Sequence, residues 1–61
     1  MPNLSAKELD AIKDLLTSEQ TVIQKCKSYA MATPQPQLKA KYEQIAAKHQ
    51  SHYNRLYSQL G

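Results

Sequence analysis

The chain has 61 residues and a mass of 6.9 kDa, enough for a single domain spanning 1–61, because a chain of this length buries only about 60% of the surface its unfolded form exposes. Cys26 is the sole cysteine, which excludes an internal disulfide and a zinc site built from several cysteines of one chain. A hydrophobic content of 41% and a mean hydropathy of -0.66 contain no run near the roughly 18 apolar residues of a membrane span, and a formal charge of +3 permits an acidic partner without pointing to nucleic acid.

The first residues, Met1 to Asp14, are interrupted by Lys7, Glu8, Asp10 and Lys13, so no secretory leader is expected and a free thiol fits the cytoplasm. Ser5-Ala6-Lys7-Glu8 has the form of a capping box, in which the Ser5 hydroxyl accepts from the Glu8 amide and the Glu8 carboxylate reaches back. From this start, Leu9, Ile12, Leu16, Glu19, Ile23, Cys26 and Ala30 follow steps of three and four, the seam of a coiled coil or four-helix bundle. Leu15, Val22 and Tyr29 widen the stripe on one side. The predicted first helix runs over about 5–31.

Thr33-Pro34-Gln35-Pro36-Gln37 punctuates the middle. Each proline forces the residue before it out of the helical region, which stops the first helix and leaves a short loop at 32–35. Pro36 suits the first position of a new helix, where its missing N–H is no loss. That second helix is expected over about 36–59, with Leu38, Tyr42, Ile45, His49, His52, Leu56 and Gln59 as its seam and with Ala46, Tyr53 and Leu60 broadening the apolar face.

Neither segment alternates with a period of two, so the fold class is all-α: an antiparallel helical hairpin. Helices of about 36 to 40 Å with stripes this wide stay half uncovered in one hairpin. Two hairpins facing each other close a four-helix bundle, and a homodimer with a two-fold axis is expected.

Polar residues interrupt the stripe. Glu19 lies 12 residues before Met31, and His49 lies 12 residues after Gln37, so an antiparallel pair brings them level, with His52 one turn further on. Near mid-helix, the dyad of a dimer would gather two copies of the trio in one layer. Two readings of Glu19, His49 and His52 stay open. One is a buried hydrogen-bond network that fixes the dimer's register; the other is a metal centre, since carboxylate and imidazole are ligands of zinc and non-haem iron and i, i+3 spacing puts both imidazoles on one helical face.

A glutamate on one helix and an i, i+3 pair ending in histidine on the next resemble half of a ferritin-like bundle. His49, in Ile45-Ala46-Ala47-Lys48-His49-Gln50-Ser51-His52, stands where the bridging glutamate of a di-iron site would be. The chain is more similar to the coat F family of bacterial spore coat proteins, in Glu8-Leu9-Asp10-Ala11-Ile12-Lys13-Asp14-Leu15-Leu16, in Gln35-Pro36-Gln37-Leu38-Lys39, and in His49-Gln50-Ser51-His52-Tyr53 followed by Leu56. Gln35 replaces the acidic N-cap expected of that family. The resemblance implies a ferritin-like bundle and a structural or interaction role in or near the spore coat, with other coat proteins as partners and no catalytic residues. Iron or zinc at Glu19, His49 and His52 is the alternative to a protein without a cofactor.

Cys26, on the seam, reads as a small buried hydrophobe. Tyr29, Tyr42, Tyr53 and Tyr57 are expected to pack with their hydroxyls at the bundle edge. Lys25, Lys27, Lys39 and Lys41 gather toward the loop end as a basic, solvated tip.

Overall fold

The structure, a computed structural model, describes residues 4–60. Helix α1 spans Ala6–Ala32, helix α2 spans Pro36–Tyr57, and a single 3-10 turn, Ser58–Leu60, follows directly. There is no strand among the described residues. The two helices pack side by side as a hairpin measuring 47 × 15 × 10 Å.

The start of α1 is fixed locally. Ser5 adopts an extended backbone (φ -69°, ψ 161°) and caps the helix. Its backbone N–H donates to Glu8 Oε1 at 3.1 Å, and the Glu8 N–H donates to Ser5 Oγ at 3.1 Å. Two amides that have no helical partner are thereby satisfied.

The stop is equally local. Thr33, held extended (φ -77°, ψ 133°) ahead of Pro34, caps α1 with its N–H on the Tyr29 carbonyl at 3.0 Å. Its hydroxyl then accepts from the Gln35 N–H at 3.2 Å, which stiffens the loop. Gln35 enters α2 with no side-chain cap, and Pro36 begins the helix. Helix α1 therefore runs through Ala32, and the connection is only 33–35.

The first helix buries the seam that its spacing describes: Leu16, Ile23, Cys26 and Ala30 are buried, and Leu9, Ile12 and Glu19 are partly so. The second is rotated from the expected seam. Ala46 is its only buried residue; Tyr42, His49, His52 and Leu56 of the expected seam are partly covered, as are Tyr53 and, in the 3-10 turn, Leu60, whereas Leu38 and Ile45 remain 39% and 41% exposed. Thus Ala46, Tyr53 and Leu60, expected at the margin, are among the inward set, and Leu38, Ile45 and Gln59 lie outward. The cause is the single neighbour. A stripe two columns wide can turn either column toward one partner helix, and the side chain of Ala46 allows close approach at mid-length. No side chain is fully buried among the described residues.

The backbone N–H of Ser5, and then its hydroxyl, hold the Glu8 carboxyl below its ordinary value. A carboxyl whose folded value is depressed adds stability that is complete above its unfolded value and is lost as pH falls through the folded one. Replacing Ser5 by Ala, which removes the hydroxyl and keeps the backbone N–H that is the larger cause, should raise the Glu8 value only part of the way toward that of a free carboxylate, followed by NMR titration of its side-chain carbon, and should lower the thermal midpoint by a few degrees. An unmoved Glu8 titration would remove the capping box from the account.

Candidate functional site

Glu19 sits at the middle of α1, and the carbonyl–amide ladder on either side holds it rigidly. His49 and His52 sit one turn apart on α2, so their rings project to the same side. Because the loop is short and the helices are antiparallel, the three arrive at one height. His49 Nδ1 lies 2.6 Å from Glu19 Oε2, and His52 Nδ1 lies 3.7 Å from Oε1 of the same carboxylate. The two rings meet edge to face with centroids 5.5 Å apart. One donor atom from each residue falls within 4.8 Å of the other two.

The two histidine contacts differ in kind. At 2.6 Å a proton lies between nitrogen and oxygen, so His49 Nδ1–H donates to the carboxylate in a charge-assisted hydrogen bond. At 3.7 Å the second is an electrostatic neighbour and no hydrogen bond. One carboxylate thus serves both rings, one through each oxygen.

The sequence places these residues in a core; the hairpin alone leaves them half-buried. The side chains are 19% exposed at Glu19, 29% at His49 and 40% at His52. Beside them a groove of about 330 Å³ is lined by Glu19, His52, Arg55, Leu56 and Gln59. Arg55 is a groove residue that the seam spacing does not pick out. Its signal was the spacing of three from His52, which carries it over the same groove.

The remaining singled-out residues lie elsewhere. Cys26 is buried and free. Tyr29 and Tyr42 touch with ring centroids 5.5 Å apart, Tyr53 and Tyr57 at 6.1 Å, and Gln20 Nε2 donates to the Tyr53 hydroxyl at 3.4 Å across the opposite flank. Lys25, Lys27, Lys39 and Lys41 are all exposed. No helix among the described residues is long and apolar enough to cross a membrane.

No family model matches the chain, and neither a curated protein nor a solved structure does. The site therefore stands on its own geometry.

The two distances rank the contacts. In double-mutant cycles by urea denaturation, Glu19→Ala with His49→Ala should show a coupling of about 1 kcal/mol, and Glu19→Ala with His52→Ala a clearly smaller one. A larger coupling to His52 would contradict the assignment of the hydrogen bond.

Proposed function

We propose that the chain is a non-catalytic structural module: a hairpin that pairs with a second copy of itself to close a four-helix bundle. The observation that carries this is the surface left over. The accessible area is 4868 Å², whereas a compact monomer of this mass exposes about 4000 Å². The radius of gyration is 14.4 Å, against about 10.5 Å for a compact chain of this length. An excess of this size is comparable with the roughly 800 Å² that each partner covers in a standard interface.

The excess includes a particular face. Leu15, Val22 and Tyr29 recur at heptad spacing on α1, and Leu38, Ile45, His52 and Gln59 do so on α2. Leu15 is 51% exposed, Tyr29 52%, and Leu38 and Ile45 are the outward residues of the rotated helix. The contact of Glu19 with His52 aligns the two columns on one side of the hairpin, while the Gln20–Tyr53 hydrogen bond lies on the other. Heptad columns of this kind are what a second helical pair covers by knobs-into-holes packing. A self-complementary face is satisfied by an isologous pairing, in which the same residues serve both copies.

The trio gives such a pairing its register. A polar group within an apolar face costs stability in any alignment that leaves it unpaired, so the favoured alignment keeps Glu19, His49 and His52 hydrogen-bonded. The setting suggested by the coat F resemblance, a structural part in or near a spore coat beside other coat proteins, draws on the quoted sequence segments alone.

Sedimentation equilibrium tests the pairing. The tag-free chain should behave at micromolar concentration as a species of twice the 6.9 kDa chain mass, and Ile45→Glu, which removes an outward side chain, should weaken association at least tenfold while the helical circular-dichroism signal of the hairpin persists at high concentration. A stably helical monomer at micromolar concentration would overturn the proposal.

A further inference from the structure

We infer that Glu19, His49 and His52 form a site for one divalent transition-metal ion, with Zn²⁺ the ion it suits best. The donor set is two imidazoles and one carboxylate, which matches zinc and other first-row ions; magnesium and calcium prefer all-oxygen shells. All three ligands come from one chain, so this inference is independent of the pairing proposed above.

The geometry is close to that of a bound ion before any ion arrives. In a tetrahedral zinc site, bonds of about 2.05 Å place neighbouring ligand atoms about 3.3 Å apart. The contacts lie on either side of that value, 2.6 Å from His49 Nδ1 to Glu19 Oε2 and 3.7 Å from His52 Nδ1 to Glu19 Oε1, and a set of one donor atom from each residue fits within 4.8 Å. Binding requires the proton shared by His49 and Glu19 to leave, and the three side chains to close onto the ion. Mid-helix positions on two packed helices keep the ligand backbones in place while this happens.

One carboxylate sets the nuclearity. Glu19 is the only acidic residue in the cluster, and a second ion would need a bridging carboxylate that His49 does not supply. Three protein ligands leave the fourth position of a tetrahedral ion free, and the groove lined by Arg55, Leu56 and Gln59 adjoins Glu19 and His52. Water, or a small anion drawn by Arg55, completes the shell there. The partial exposure of the trio gives the ion a way in.

Titration of the tag-free chain with Co²⁺, followed by displacement with Zn²⁺, reads the site directly. The expected result is one ion per chain with the strong visible absorption of four- or five-coordinate cobalt, lost on adding Zn²⁺ and unaffected by excess Mg²⁺. His52→Asn, at the most exposed of the three positions, and Glu19→Gln, which keeps the side-chain size, should each weaken binding at least tenfold with the helical circular-dichroism signal retained. Cys26→Ser should leave the cobalt spectrum unchanged. No saturable binding, or binding that both ligand variants leave intact, would overturn the inference.

Discussion

The hydrogen bond between His49 and Glu19 ties the two helices together at mid-length, and most of what is distinctive about the hairpin depends on it. At 2.6 Å it is the shortest side-chain link between α1 and α2 among the described residues, and it lies within an otherwise apolar stripe. Its position converts a slippery contact between two greasy faces into one register. Sliding α2 by one turn would break the His49 hydrogen bond, and in the direction that brings Ile45 and Ala46 level with Glu19 it would leave the carboxylate with no imidazole partner, at a cost of order 1 kcal/mol for a group that water still reaches. Folded chains are stable by only about 0.05–0.15 kcal/mol per residue, so a difference of that size favours one register over the other.

The same bond explains why a polar trio can occupy a seam. Water still reaches the cluster, so neither the carboxylate nor the imidazoles bear the full penalty of burial in the isolated hairpin. Covering the face with a second pair of helices removes that water. The trio must then satisfy itself internally or around an ion, and this connects the pairing proposal with the metal inference through one physical quantity, the desolvation of Glu19. Leu15, Tyr29, Leu38 and Ile45 supply the apolar area that makes covering favourable; the trio decides which alignment is covered.

How much was legible in the sequence follows from how far each signal reaches. The capping box at Ser5 and Glu8, and the break at Pro34 and Pro36, are contacts within a few residues, so spacing alone identifies them. The level match of Glu19 with His49 was also legible, because a short loop and an antiparallel path turn position into a count from the turn. What spacing could not settle was rotation about the α2 axis. Its apolar positions form two adjacent columns, and only packing against α1 chooses the column with Ala46, His49 and Tyr53 over the one with Leu38, Ile45 and Gln59. That same rotation makes His52 more exposed than His49 and brings Arg55 to the groove. The last turn, where Ser58–Leu60 tightens to a 3-10 form and the Ser58 hydroxyl donates to the Arg55 carbonyl at 2.6 Å, carries no sequence signature strong enough to separate it from the helix.

The central claim is that Glu19 organises two imidazoles at one height in the hairpin. A long-range ¹H–¹⁵N spectrum of the histidine rings tests it most directly. The account predicts that His49 carries its proton on Nδ1, with a slowly exchanging signal shifted downfield by the carboxylate and abolished in Glu19→Gln. Two histidines with identical, solvent-averaged ring nitrogens, unchanged by that substitution, would contradict it.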